Sequence, residues 1–117
     1  MSEIWKRQLP GGGQTVELTL PSTVDEWELY DEPGASKAAK RLTGAMKRAC
    51  KRFDTRRRSM RAIDALSKAY SEVVVPVLDK YDDFGAYDTE PRNRAISILQ
   101  KYAAKVCGGD VYDYDFY

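Results

Sequence analysis

The stretch from residue 37 to residue 61 places the tightest constraint on how this chain can fold. Its apolar side chains recur every three to four residues, which is the period of an amphipathic helix. They are Ala38, Ala39, Leu42, Ala45, Met46, Ala49, Cys50 and Phe53. The spacing predicts a helix from Ser36 with an alanine-rich inner face, on which Gly44 permits close approach of a neighbouring helix. A break is expected at Asp54 and Thr55.

Two more helices are predicted from the same period. The second follows Met60, Ile63, Leu66, Tyr70, Val73, Val74, Val77 and Tyr81. Pro76 lacks a backbone donor and is expected to kink or end it, and the first two helices could instead form one long bent helix. The third begins at Thr89, where Glu90 and Pro91 favour a helix N-terminus, and ends before Gly108. Its apolar stripe is Ala95, Ile96, Leu99, Tyr102, Ala103 and Val106.

The ends of the chain have a different character. "IWKRQL" (4–9) and "TVELTL" (15–20) flank "PGGGQ", which predicts a β-hairpin or, alternatively, an extended arm with a glycine hinge. Residues 21–34 are acidic and form either a short helix or an irregular connection. The fold predicted is mainly α: about three helices in one small core, an N-terminal hairpin or arm, and an acidic aromatic C-terminal tail. A single domain spans 1–117, with the arm and connection at 1–34, the helical core at 35–107 and the tail at 108–117.

Charge is strongly segregated along the chain. Residues 37–61 hold eleven Lys and Arg and one Asp, whereas the formal net charge of all 117 residues is +1. A helix this basic repels itself unless its own acids or an external anion neutralise it. Arg and Lys at this density suit a phosphate backbone, so we predict a polyanion-binding surface for nucleic acid or another acidic surface. Its residues are Lys40, Arg41, Lys47, Arg48, Lys51, Arg52, Arg56, Arg57, Arg58 and Arg61.

Two segments, "DEWELYDE" and "DYDFY", combine carboxylates with aromatic rings. Such segments suit docking on a basic patch or imitation of the charge of nucleic acid toward another protein. They predict a protein partner or a homo-oligomer, or neutralisation of the basic helix within the chain. The partner-binding residues predicted are Trp27, Tyr30, Tyr112, Tyr114, Phe116 and Tyr117.

Several function classes are disfavoured. The chain has no histidine, which removes the commonest general base and metal ligand, so we expect no enzyme, no metal and no cofactor. "DKYDDFG" lacks the ligands of a calcium loop, and "PGGGQ" lacks the Lys and Ser or Thr of a phosphate loop. Cys50 and Cys107 predict two buried thiols in a reducing compartment, with a single disulfide as the alternative. The longest aliphatic block, "VVVPVL", is too short for a bilayer, so a cytoplasmic protein without membrane contact is expected.

The leading interpretation is a small non-enzymatic binding or assembly protein whose basic helix engages a polyanion such as nucleic acid. Compact chains with charge-segregated faces and aromatic arms occur among viral structural and accessory proteins, and a viral protein of this kind is expected to be virion-associated; this is a fold-level analogy. The alternative is a protein-protein effector that acts through its acidic aromatic segments: an inhibitor of a larger enzyme, an assembly chaperone or a scaffold.

Overall fold

The computed structural model describes residues 2–11, 13–30, 33–80 and 89–116. Two antiparallel strands, β1 (Glu3–Gln8) and β2 (Thr15–Leu20), precede the helices α1 (Ala35–Arg56), α2 (Ala62–Ala69), α3 (Val75–Lys80) and α4 (Thr89–Cys107). A π-helical segment (Tyr70–Val74) joins α2 to α3, and a short 3-10 turn (Val111–Tyr114) follows α4. The predicted mainly helical fold with an N-terminal hairpin is confirmed. Tyr81 of the second predicted stripe, residues 81–85 of "DKYDDFG" and the predicted partner-binding residue Tyr117 lie outside the described residues.

Helix α1 buries the whole apolar stripe expected from the sequence. It continues past the predicted break to Arg56, because the Asp54 side chain is buried on the inner face and the Thr55 hydroxyl donates to the Lys51 carbonyl at 3.3 Å. The prediction that Gly44 lies on the inner face is wrong. This glycine lies on the outer side of α1, where a Cβ would meet only the Arg48 guanidinium at 3.4 Å.

The second helical region is separate from α1, since residues 57–60 form a turn between them. It runs without interruption from Ala62 to Lys80 through the π-helical segment. There the Val75 N–H bonds to the Tyr70 carbonyl, five residues earlier. An α-helical proline clashes with the carbonyl four residues before it. The wider turn before Pro76 relieves that clash, so the helix neither ends nor breaks at this proline.

The hairpin rests on the helices, as its alternating pattern requires. Trp5 pairs with Leu18 and Arg7 with Val16, and the inner residues Val16, Leu18 and Leu20 are buried. The stripes of α1, α2 and α4 join β2 in one core, and this includes Leu66 and Tyr102. Four of the predicted stripe residues are only half-buried: Met60, Ile63, Val77 and Val106.

Residues 21–30 form an irregular connection built from turns. Trp27 lies at its centre with no exposed surface, and its indole N–H donates to the Thr43 hydroxyl at 3.1 Å. Thr43 in turn can donate to the Pro21 carbonyl at 2.7 Å. The assignment of Trp27 as a partner-binding residue is therefore wrong: the ring packs in the core and ties the connection to α1.

The two thiols differ in environment. Cys50 is buried, as expected, and burial raises the pKa of its thiol. Cys107 is exposed at the last residue of α4, beyond the half-buried Val106 that ends the stripe, which corrects the prediction of two buried thiols. Both cysteines are free.

The tail folds back on the helical core. Asp110 and Asp113 form a capping box around the 3-10 turn, each accepting a hydrogen bond from the backbone of the turn. The Tyr114 hydroxyl donates to the Gly108 carbonyl, and the Phe116 ring lies 5.7 Å from the ring of Tyr70. The tail is thus ordered up to Phe116 rather than frayed.

Candidate functional site

The basic stretch separates into cations with and without acidic partners. Five of the ten predicted polyanion-binding residues make ion pairs: Lys47 with Glu3, Arg52 and Arg56 with Glu72, Arg57 with Asp54, and Arg61 with Asp64. The other five form no ion pair with any residue in the described ranges: Lys40, Arg41, Arg48, Lys51 and Arg58. Acids of the chain therefore neutralise part of the basic stretch and leave these five cations without an acidic partner among the described residues.

Glu72 neutralises two cations at once. Its carboxylate accepts from Arg52 at 2.9 Å and from both terminal nitrogens of Arg56. The hydrogen bond from Arg56 lowers the pKa of the Glu72 carboxyl, so this group stays ionised at neutral pH. Glu72 thus occupies the position that an external oxyanion would take between these two guanidinium groups.

The cations of α1 that have no acidic partner in the described part of the chain lie on one side of the helix, which we call the open basic face. It consists of Lys37, Lys40, Arg41, Arg48 and Lys51, all of them exposed. At about 100° per residue they fall within an arc of about 100°, opposite the buried stripe. The face runs about 21 Å along the helix axis at a rise of about 1.5 Å per residue. Gly44 lies within this arc, so no side chain projects from the helix backbone near the middle of the face.

Three shallow cavities lie along the exposed side of α1. One of about 320 Å³ is lined by Lys51, Arg52, Thr55 and Arg56, and one of about 240 Å³ includes Lys40, Gly44 and Lys47. The third, of about 310 Å³, lies between α1 and α3. We call it the α1–α3 groove, and its lining is Arg41, Arg48, Pro76, Val77 and Lys80. Sequence reasoning missed Lys80, because only the packing of α3 brings it beside α1.

A buried polar cluster fixes the C-terminal end of α1. The Asp54 carboxylate, 1% exposed, accepts from Arg7 Nε at 3.0 Å and from the Tyr102 hydroxyl at 2.6 Å. Burial, together with the bond to Asp54, raises the pKa of the Tyr102 hydroxyl, which therefore remains a donor. Trp5 stacks on Tyr102 with ring centroids 6.4 Å apart. The cluster joins β1, α1 and α4, and sequence reasoning missed it.

Another cavity, of about 530 Å³, lies between the start of the hairpin and α4. Its lining carries both signs of charge, with Asp25, Glu26 and Glu90 near Arg94 and Lys101. Arg94 donates to Glu28 at 2.6 Å. A hydrogen bond from Ser2 helps to lower the pKa of Glu26 to about 2. A cavity of mixed charge is less suited to a polyanion than the open basic face.

The predicted partner-binding aromatics do not form one surface. Tyr30 is 40% exposed, whereas Trp27, three residues earlier, is fully buried. In the tail, Tyr112 is 84% exposed, whereas Tyr114 and Phe116 are half-buried against the core. Asp110 and Asp113 hydrogen-bond to the tail's own backbone. Glu3, Asp54, Asp64 and Glu72 form ion pairs with the basic stretch, and none of them lies in the tail. Asp110 and Asp113 therefore do not neutralise the stretch.

Comparisons with protein-family models, curated proteins and solved structures give no match. In the parts of the chain that the structure describes, no helix has the length and apolar character needed to cross a bilayer.

Proposed function

We propose that this protein is a non-enzymatic binding and assembly protein whose open basic face holds a polyanion such as nucleic acid. The observation that supports the proposal is the row of exposed cations on α1 that have no acidic partner among the described residues. Acids of the chain lie close enough to pair with Lys47, Arg52 and Arg56, so the row is not explained by a general lack of acids. A row of unpaired cations is stabilised by an external anion.

The spacing of the row suits a phosphate backbone. B-DNA carries one phosphate per about 3.4 Å along each strand, and the face presents five cations over about 21 Å. Binding through this row alone is independent of sequence, because phosphate contacts position a nucleic acid without reading its bases. The proposed activity is therefore nonspecific and strongly salt-dependent.

Replacing Lys40, Arg48 and Lys51 together by Gln should weaken binding to a mixed-sequence oligonucleotide. The slope of log K against log salt should become shallower by about one for each phosphate that the protein no longer neutralises, because fewer counterions are released. Fluorescence anisotropy at a series of salt concentrations measures both quantities.

A matched control is the triple change of Lys6, Lys68 and Lys101 to Gln, which removes the same formal charge from exposed positions on other elements. This control should keep most of the affinity and the slope. Equal losses in the two triple variants would mean that only net charge matters, and the absence of binding by the parent at low salt would end the proposal.

Replacing Glu72 by Gln should have the opposite effect. The change releases Arg52 and Arg56 beside the open basic face, so affinity for the oligonucleotide should rise and the salt slope should steepen. Asp64 to Asn is the control, since it also removes one acid that pairs with a cation, but away from this face. An unchanged affinity for the Glu72 variant would show that the two arginines lie outside the bound path.

A further inference from the structure

The α1–α3 groove combines cations with apolar side chains, and binding of a polyanion would not involve the apolar part. Its cations are Arg41, Arg48 and Lys80, and none of them pairs with an acid in the described ranges. Pro76 and Val77 add an apolar part to the lining. A phosphate group can pair with the cations but has no apolar surface to pack on Pro76 and Val77. An aromatic ring flanked by carboxylates complements both the cations and the apolar residues.

The chain itself presents such a group. Tyr112 is 84% exposed, compared with 61% for Ile4 and 40% for Tyr30, the other exposed large apolar residues in the described ranges. It stands on the turn Val111–Tyr114, which the capping box of Asp110 and Asp113 closes. Tyr114 and Phe116 hold that turn against the core. The ring is therefore presented by an ordered turn between two acids, and little chain entropy is lost when it docks.

We infer that Tyr112 of one molecule inserts into the α1–α3 groove of a second copy of the chain. The ring lies against Pro76 and Val77, and Asp110 and Asp113 face the cations of the groove. Arginine beside the ring adds a cation–π contribution. The groove has about 310 Å³, at the lower end of the size of pockets that bury small ligands, which is enough for one ring but not for a whole segment.

The contact is head-to-tail, because the inserted turn and the groove are different surfaces of the same molecule. Each molecule carries one of each, so association continues into a ring or an open chain. Arg41 and Arg48 belong to both the groove and the open basic face. A polyanion bound across the face therefore competes with the second copy for these two residues.

The test is the mass of the protein in sedimentation velocity at low salt and high micromolar concentration. The parent should form species larger than a monomer, and Tyr112 to Ser and Lys80 to Glu should each be monomeric. Ile4 to Ser and Lys6 to Glu are matched controls at exposed sites and should behave as the parent does. Circular dichroism and melting temperature check that all four variants stay folded.

Mixing the two monomeric variants gives the sharper result. The Lys80 variant keeps its Tyr112 and the Tyr112 variant keeps its groove, so an equimolar mixture should form a one-to-one dimer and nothing larger. A monomeric parent, an unchanged mass for the Tyr112 variant, or a mixture that stays monomeric would each overturn the inference. If the parent is monomeric and Lys80 to Glu also lowers its affinity for nucleic acid, the groove binds the polyanion instead of a second copy.

Discussion

Replacing Asp54 by Ala should lower the free energy of unfolding by about 3–5 kcal/mol, as measured by denaturant titration. The carboxylate is almost fully buried and accepts hydrogen bonds from both Arg7 and Tyr102. Its removal leaves the partly buried guanidinium of Arg7 without a counter-charge and takes the acceptor from the Tyr102 hydroxyl. The loss of stability arises mainly because the Arg7 guanidinium and the Tyr102 hydroxyl are left without a partner, and less from the strength of the Arg7–Asp54 ion pair.

Two further variants separate this explanation from a general effect of losing an acid. Asp64 to Ala removes an acid that pairs with Arg61 at the surface, where each partner is more than half exposed, and should cost less than about 1 kcal/mol. Combining Asp54 to Ala with Arg7 to Ala should cost less than the sum of the single changes, because no charge is then stranded. Additive losses, or a small loss for Asp54 to Ala alone, would contradict a coupled cluster.

Replacing Trp27 by Ala should cost about 3–5 kcal/mol, the range for a fully buried large aromatic residue. The change opens a cavity in the core and removes the donor that bonds to the buried Thr43 hydroxyl. A thermal melt should record a fall of about 10 °C or more for a domain of this size.

Tyr30 to Ala is the matched control, because it removes an aromatic ring three residues away that is 40% exposed. It should change the melting temperature by only a few degrees, corresponding to about 0.5 kcal/mol. If Trp27 to Ala melted like the control, the indole would not lie in the core, and its assignment as a partner-binding residue would have to be reconsidered.

The helices and the hairpin could be predicted because their signals are local. The stripe from Ala38 to Phe53 and the alternation of Val16, Leu18 and Leu20 depend only on the period of helix and strand. The end of α4 is likewise indicated by Gly108, which adopts a positive φ of 82° that favours glycine. Each of these features can be predicted without knowing which helices and strands pack against one another.

The buried cluster could not be predicted for the opposite reason. Arg7 and Asp54 are 47 positions apart, and nothing near either residue identifies the other. An acid inside a basic run resembles a helix break, so the local pattern places Asp54 at a turn. The prediction for Trp27 is wrong for a similar reason, since its acidic neighbours suggest an exposed segment while its own position is fixed by Thr43 on another element.

The candidate site could be predicted in part. Local charge density identifies α1 as basic, but the division into paired and unpaired cations depends on Glu3 and Glu72, which come from β1 and the π-helical segment. The same long-range packing adds Lys80 to the surface beside Arg41 and Arg48. A sequence can therefore indicate that a helix is basic without indicating which of its charges are available.

The π-helical turn before Pro76 sets the rotational phase of α3, the helix that continues from it to Lys80. A π-turn holds one more residue than an α-turn, and one residue corresponds to a rotation of about 100° around the helix axis. Without it, Val77 and Lys80 would point about a quarter-turn away from Arg41 and Arg48. The composition of this surface thus depends on the count of residues between Tyr70 and Val74 as much as on their identity. A related chain that is shorter by one residue here would keep the same helices and the same charges, yet it would present a different surface to a partner.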